Sequence, residues 1–192
     1  MTTSRSENQI CSHRHSFALD NILRRLIQSP RKIIAPYLSK GDTVIDLGCG
    51  PGFFTATMAA LVGPSGRVIA VDLQEEMLAK VRRKLVNPKR QSMPAITLHQ
   101  CSEHEIGLDQ SSKADFILAC YMVHETPDHY RFFQQVKILL KTTSTFLVIE
   151  PPFHVSNKDF AKMLSRAEQA GLTIIDRPKG KGGRSALLAI QA

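Results

Sequence analysis

The chain has 192 residues, of which 43% are hydrophobic and 22% charged, which excludes a disordered or fibrous protein and predicts one globular domain. The formal net charge of +8 raises the question of nucleic acid binding, which basic residues alone do not answer. No apolar run approaches the ~20 residues of a membrane span, and the first residues lack the apolar core of a signal peptide, so we expect a cytoplasmic protein.

The first forty residues are predicted to form an N-terminal extension. Residues 1–16 are polar and irregular, and we expect a flexible arm there. Apolar residues at helical spacing predict a helix over 19–27 and a second short helix to about Leu38. The chain therefore divides into an arm with helices, residues 1–40, and one domain, residues 41–192.

In the domain, short apolar runs that predict strands alternate with amphipathic segments that predict helices. Strands are predicted at residues 43–48, 67–71, 95–99, 114–123, 144–150, 172–176 and 185–190. Helices are predicted around 54–62, over 75–86, from Thr126-Pro127 through an apolar stripe of Phe133, Val136 and Leu140, and from a capping box at Ser156-x-x-Asp159. This alternation indicates a parallel α/β sheet.

A glycine turn, Asp46-Leu47-Gly48-Cys49-Gly50-Pro51-Gly52, follows the first predicted strand and precedes a helix. Glycines allow a tight turn and let a ligand approach the backbone, and the helix N-terminus beyond favours negative charge. A second acid, Asp72, ends the next strand roughly twenty residues further on, where α/β nucleotide sites place a carboxylate on ribose hydroxyls. A purely connecting turn and a nicotinamide dinucleotide site are the alternatives. The G-x-G-x-G spacing and the short chain disfavour the second.

VIDLGCGPGFFT resembles motif I of class I S-adenosylmethionine-dependent methyltransferases, and VIAVDLQEEML resembles their adjoining ribose-binding segment. The resemblance extends from residue 40 to residue 190. It implies a Rossmann-like α/β fold, with helices on both faces of a seven-stranded sheet in the order 3-2-1-4-5-7-6 and the last inserted strand antiparallel. It also implies S-adenosyl-L-methionine as the cofactor.

The resemblance further implies which residues contact the cofactor. They are Asp46, Gly48, Cys49, Gly50 and Gly52 at the methionine end, Asp72 at the ribose, Leu73 on the adenine, Ser102 after the third strand, and Tyr121 at the end of the fourth. Many relatives carry an acid where this sequence has Cys101-Ser102-Glu103, so an acidic contact to the adenine amino group is not assigned here.

The segment after the fourth strand, Tyr121-Met122-Val123-His124-Glu125, should face the ligand crevice, where strand ends meet. It resembles the small-molecule branch of the class, related to menaquinone and ubiquinone, sterol and arsenite methyltransferases. His124, Glu125 and His154, in that order, are candidate general bases for an acceptor with a proton of high pKa. A role of His124 in shaping the pocket is an equal alternative.

Glu150-Pro151-Pro152-Phe153 is similar to the D/N-P-P-Y/F motif with which nucleic-acid amino-methyltransferases grip an exocyclic amine. That motif belongs after the fourth strand, whereas this segment follows the fifth, so we interpret the match as a coincidence. The proline pair can instead turn the chain and aim Glu150 and His154 inward. No metal is expected, because Cys11-x-His13-x-His15 lies in a flexible arm and makes a poor preformed site.

Basic residues form two clusters. The helix cluster, which we expect opposite the cofactor face, comprises Lys80, Arg82, Arg83, Lys84, Lys89 and Arg90. The basic turn, which we expect on the cofactor face, comprises Arg177, Lys179, Lys181 and Arg184. The sequence thus predicts methyl transfer to a small molecule. An RNA or protein methyltransferase, favoured by net charge and disfavoured by the lack of a recognition domain, and a non-catalytic module that binds S-adenosylmethionine are the alternatives.

Overall fold

A computed structural model describes residues 29–85 and 94–191 of the chain. The predicted arm, the predicted helix over 19–27 and the Cys11-x-His13-x-His15 segment lie outside these residues. Within them, no helix is both long enough and apolar enough to cross a membrane.

Helices and strands alternate along the described residues, as predicted. The helices are α1 (Pro30–Ile34), α2 (Thr55–Val62), α3 (Glu75–Leu85), α4 (His129–Leu139) and α5 (Asn157–Gln169). The strands are β1 (Thr43–Leu47), β2 (Arg67–Asp72), β3 (Ala95–Gln100), β4 (Ala114–Cys120), β5 (Leu140–Glu150), β6 (Leu172–Asp176) and β7 (Arg184–Ile190). Single 3-10 turns cover Ala35–Tyr37, Gln110–Ser112 and Val123–Glu125.

The seven strands form a sheet in the order β3-β2-β1-β4-β5-β7-β6, which confirms the order that the resemblance implies. β1 to β5 pair in parallel, whereas β7 is antiparallel to both β5 and β6. All strands except β7 therefore end at the same edge of the sheet. That edge is where α/β folds bind their ligands.

Helices bury both faces of the sheet. The neighbouring residues Val44 and Ile45 of β1 belong to different hydrophobic clusters, because successive strand side chains point to opposite faces. The cluster of Ile45 includes Phe133 of α4 and Met163 of α5, whereas the cluster of Val44 includes Met58 of α2. Burial on both faces explains why the sequence shows continuous apolar runs in place of an alternating pattern.

The start of α4 differs from the prediction. Asp128, and not Thr126-Pro127, caps the helix, because its carboxylate accepts a hydrogen bond from the Arg131 N–H at 3.1 Å. The Thr126 hydroxyl instead donates to the Val123 carbonyl at 2.7 Å and closes the preceding 3-10 turn. Leu140, predicted on the apolar stripe of this helix, is the buried first residue of β5. A Thr-Pro pair and an aspartate both suit a helix start, so local sequence did not decide between them.

β4 ends before its predicted end at Val123. The strand stops at Cys120, and Tyr121 adopts a φ of 62°, the one positive φ of a non-glycine residue in the part of the chain that the structure describes. A left-handed residue cannot continue the pleated backbone. Val123–Glu125 then form a 3-10 turn, which carries His124.

Candidate functional site

The glycine turn connects β1 to α2 through three glycines in the left-handed region, with φ of 64° at Gly48, 51° at Gly50 and 80° at Gly52. Asp46 of β1 is buried, and its carboxylate accepts a hydrogen bond from the Thr55 hydroxyl at 2.6 Å. Because Thr55 begins α2, this bond fixes the start of the helix to the strand. Asp46 therefore supports the turn, in addition to any contact it makes with the predicted methionine end.

The three glycines are required for different reasons. A Cβ atom on Gly48 would lie 2.7 Å from Met122 Cγ, and one on Gly52 would lie 3.1 Å from Val81 Cγ2. Those two positions are closed by the packing of the protein itself. A Cβ on Gly50 would meet nothing within 4 Å, so this glycine borders open space where a ligand could approach the backbone.

Asp72, at the end of β2, joins the two halves of the predicted nucleotide site. One carboxylate oxygen accepts the Gly50 N–H at 2.8 Å and the other accepts the Gln74 N–H at 3.0 Å. Burial raises the pKa of this carboxyl, while the backbone hydrogen bonds from Gln74, Gly50 and Leu73 oppose the rise. Each oxygen can accept a further hydrogen bond, so the carboxylate can still receive ribose hydroxyls.

An apolar cleft of about 460 Å³ opens at the ends of β1 and β2. Its walls include Leu47, Gly48, Val71, Ser102, Met122 and Phe132. Leu73, the residue after β2, leaves 45% of its surface exposed. The Ser102 hydroxyl accepts the Glu105 N–H at 3.1 Å, which closes the loop after β3 at the cleft. The structure thus brings predicted adenine-side residues together near Asp72.

Side chains of α4 hold the loop after β3 against the cleft. The Gln135 side-chain oxygen accepts the Ile106 N–H at 2.7 Å, and its nitrogen donates to the His104 carbonyl at 3.0 Å. Arg131 forms an ion pair with Glu105 in the same loop. A helix that follows β4 therefore positions one wall of the cleft, and this contact was not predicted from the sequence.

Cys49 and Tyr121, both predicted cofactor contacts, use their side chains within the fold. Cys49 is buried with Leu78 and Val81 of α3, and burial raises the pKa of its thiol. The Tyr121 hydroxyl donates to the Gly182 carbonyl at 2.5 Å, and its ring packs in the cluster that α1 and α2 cover. Cofactor contacts by these two residues stay predictions.

Glu150 lies at the end of β5, on the side of β4 away from the cleft, and is buried with 0% of its surface exposed. One carboxylate oxygen accepts the Val123 N–H at 2.9 Å. The other forms a short hydrogen bond with Nδ1 of His124. Strand β5 thus holds the 3-10 turn that carries His124.

The three predicted catalytic residues lie together around this pair. The ring centroids of His124 and His154 are 6.3 Å apart, and Nε2 of His124 is 3.9 Å from a carboxylate oxygen of Glu125. The Pro151 carbonyl accepts the N–H groups of His154 and Val155, so the proline pair does turn the chain. Glu150 and His154 were both expected to point inward. Glu150 is buried, as expected, and its bond to His124 was not predicted, whereas His154 is exposed, so the prediction for His154 was wrong. The sequence does contain a signal that could have indicated the importance of Glu150: it is an acid at the end of a buried apolar strand, as Asp72 is.

The basic turn lies on the cofactor face, as expected, because Arg184 pairs with Glu150 in the sheet. Two of its cations contact other segments. Lys181 donates to the Ile33 carbonyl at 2.9 Å, and Arg184 donates to the Asn157 side chain at 2.6 Å and to the Pro152 carbonyl at 2.8 Å.

The helix cluster departs in part from its expected position. Lys84 of this cluster contacts the Pro51 carbonyl of the glycine turn, whereas the whole cluster was expected opposite the cofactor face. The long lysine side chain explains the difference, because it can span from the last turn of α3 to the glycine turn. Lys89 and Arg90 lie outside the described residues. Within those residues, no group of three or more His, Cys, Asp or Glu side chains could hold a metal ion.

Comparison with known proteins gives one family match. Residues 38–182 match a family described as a methyltransferase domain. A demethylmenaquinone methyltransferase of Lactococcus lactis is 30% identical over 110 residues, which cover 57% of this chain and 42% of that protein. A ribosomal RNA large subunit methyltransferase E of Myxococcus xanthus is 40% identical over 60 residues, 31% of this chain and 24% of that protein. The chain thus spans less than half the length of these two curated relatives.

Among solved structures, a SAM-dependent methyltransferase from Aquifex aeolicus superposes with a TM-score of 0.76. The alignment covers 92% of this chain and 96% of that one, at 23% sequence identity. At this identity the likeness shows that the fold is shared.

Proposed function

The chain belongs to the methyltransferase domain family, and from this we propose that it transfers the methyl group of S-adenosylmethionine to a small-molecule acceptor. The observation that carries the proposal is the joined glycine turn and Asp72, which combine open space at the Gly50 backbone with a buried carboxylate. Both border the edge of the sheet where α/β folds bind ligands.

The residues present fit S-adenosylmethionine. Asp72 would accept the ribose hydroxyls, the backbone at Gly50 would face the methionine end, and Leu73 with the apolar cleft would cover the adenine. When bound, the cofactor supplies a methyl group already activated on a sulfonium. The contribution of the protein is then to align the acceptor and exclude water.

Two observations support a small-molecule acceptor. The Lactococcus lactis relative, named for a menaquinone precursor, aligns over 57% of this chain, against 31% for the RNA-modifying relative from Myxococcus xanthus. In addition, Lys181 and Arg184 of the basic turn donate hydrogen bonds to the protein itself, which occupies N–H groups that could otherwise contact a phosphate backbone. His124 would accept the proton of an acceptor with a high pKa, with Glu125 and His154 as the next candidates.

Labelled S-adenosylmethionine incubated with the protein and fractionated cell extract tests this proposal. We expect the label in one low-molecular-weight species, which identifies the acceptor. Label in RNA or protein would establish the alternative acceptor classes. Calorimetry should give a micromolar Kd for S-adenosylhomocysteine, roughly −8 kcal/mol. Binding without transfer to any fraction would indicate a non-catalytic module, and binding of NAD alone would overturn the cofactor assignment.

A further inference from the structure

Glu150 contacts the first candidate base and a backbone donor at the same time. It is fully buried, one oxygen accepts the Val123 N–H at 2.9 Å, and the other is bonded to Nδ1 of His124. We propose that Glu150 is a positioning residue that holds the His124 proton on Nδ1, so that Nε2 carries the lone pair that receives the acceptor's proton. This inference rests on the proposed function, because it states how His124 is prepared for that reaction.

The hydrogen-bond partners determine which nitrogen holds the proton. An ionised carboxylate only accepts hydrogen bonds, so the nitrogen facing it must be the N–H donor. In neutral imidazole the other nitrogen then carries the lone pair. Glu150 cannot rotate away without leaving the Val123 N–H unsatisfied in the protein interior, which is costly. The backbone of the 3-10 turn thus fixes the carboxylate, and the carboxylate fixes the imidazole.

The proton transfer balances without any further reagent. The O–H or N–H bond of the acceptor breaks, its electron pair stays on the acceptor atom, and the proton moves to Nε2 of His124. The imidazolium that forms keeps its Nδ1–H bond to the Glu150 carboxylate.

Other titratable groups surround His124 and Glu150 and would contribute to any pH profile of activity. Glu125 lies on the same 3-10 turn, His154 lies on the loop after β5, and His129 lies in the first turn of α4. Burial lowers the pKa of His129, while the charge of Glu150 opposes that shift. The experiment therefore needs a signal from the ring of His124 itself.

Nitrogen NMR of the ¹⁵N-histidine-labelled full chain provides that signal, because protonated and unprotonated ring nitrogens have well-separated shifts. The His124 resonances are assigned by their loss in His124→Gln. In the wild type, at a pH above the titration of the ring, we expect Nδ1 protonated and Nε2 unprotonated. The reverse pattern in the wild type would overturn the proposal, whatever the variants do.

Glu150→Gln is the decisive substitution. The Val123 N–H can only donate, so the new amide must turn its oxygen towards it and its NH₂ towards His124. Nδ1 then becomes the acceptor and the proton moves to Nε2. An unchanged tautomer in a folded Glu150→Gln protein would contradict the proposal. If that variant does not fold, Glu150→Asp is used, which should retain the wild-type tautomer, and a reversed tautomer there would contradict the proposal.

Glu168→Gln on the exposed face of α5 is the matched control and should leave the tautomer unchanged. Label transfer to extract should fall about 10²–10⁴-fold in Glu150→Gln, while the Kd for S-adenosylhomocysteine stays within about threefold. A purely structural role would lower stability and leave the tautomer unchanged. If the wild type transfers no label, the proposed function fails, but the spectra still decide the role of Glu150.

Discussion

Two carboxylates that end buried strands illustrate how similar residues acquire different roles. Asp72 accepts hydrogen bonds from backbone N–H groups and faces the glycine turn, whereas Glu150 is bonded to one backbone N–H group and to one imidazole nitrogen. In both cases one bond anchors the carboxylate to a neighbouring segment. The role is therefore set by what lies opposite the strand end, and not by the residue type.

Replacing Asp72 should weaken cofactor binding more than it affects folding. Asp72→Ala removes the charged acceptor for ribose hydroxyls, so the affinity for S-adenosylhomocysteine should fall by about 1–3 kcal/mol in calorimetry. Asp115→Ala is the control, because Asp115 also accepts a backbone N–H, from Thr43, but at the opposite edge of the sheet. Equal losses of affinity in the two variants would mean that the ligand lies elsewhere.

The raised pKa of Asp72 predicts a pH dependence of binding. The ionised carboxylate accepts hydrogen bonds, so affinity should be full above its pKa and should fall as pH falls through it. Because burial raises this pKa, the loss should begin at a higher pH than an unperturbed aspartate near 3.9 would give. Calorimetry across the acid range, with far-UV circular dichroism as a check on folding, measures this. Unchanged affinity down to the ordinary aspartate range would contradict the prediction.

A substitution at Gly50 should lower the affinity for the cofactor because it blocks the ligand, and not because it disturbs the packing of the protein. Gly50→Ala introduces a left-handed alanine, which costs about 1–2 kcal/mol of stability, and a methyl group that blocks the approach to the backbone. Gly63→Ala, at the far end of α2, controls for strain, because Gly63 also has a positive φ and open space, and its ψ of −174° makes an alanine there at least as unfavourable. We expect both to lower stability in urea unfolding, but only Gly50→Ala to lower affinity at least tenfold, about 1.4 kcal/mol.

Contiguous features of the site could be predicted at the level of single residues, and long-range pairs could not. Asp46, the glycines and Asp72 occur within one strand-turn-helix-strand unit, so their order along the chain carries their arrangement. The bond between His124 and Glu150 joins the ends of two parallel strands separated by a helix. No local sequence pattern predicts which side chains meet at the ends of these two strands.

At the level of elements, the two helices after β4 and β5 show when a cap can be predicted. The predicted cap at Ser156 was correct: its hydroxyl accepts the Asp159 N–H at 3.1 Å at the start of α5, while the Asp159 carboxylate accepts from the Ser156 hydroxyl at 2.6 Å. The prediction for α4 was wrong because Thr126 and Asp128 compete for the cap, and Thr126 is used by the 3-10 turn. A cap is predictable where one residue fits and ambiguous where two lie within a turn of each other.

Ser156→Ala should therefore destabilise the domain by about 1 kcal/mol, because one N–H group at the start of α5 loses its acceptor. Ser165→Ala is the matched control on an exposed position of the same helix. There the change should be neutral or slightly stabilising, because alanine has the higher helix propensity. Urea unfolding of both variants measures the difference, and equal effects would show that the cap contributes nothing.

The end of β4 could not be predicted from its apolar run. The left-handed Tyr121 is supported by contacts distant in the chain, with its hydroxyl on the Gly182 carbonyl and its ring beside Gly183. Such a conformation is unfavourable locally and persists only where tertiary contacts support it. The sequence therefore predicted a longer strand than the fold allows.

At the scale of the whole molecule, the basic clusters that the structure describes lie on two faces, and some of their side chains make internal contacts. For a small-molecule acceptor, transfer should change by less than about twofold between roughly 50 and 200 mM salt. An RNA acceptor would release counterions and lose orders of magnitude in affinity over that range. Label transfer to extract, measured as a function of salt, distinguishes the two.

The insertion of β7 between β5 and β6 has a consequence for synthesis on the ribosome. β7 is the last of the seven strands along the chain, yet it covers the edge of β5. Until residues 184–190 have left the exit tunnel, β5 presents an unpaired edge, the kind of surface that chaperones shield and that nascent chains use to aggregate. The part of the sheet built from β1 to β3 can form earlier. The region around Glu150, which pairs with Arg184, is completed only when β7 has been translated.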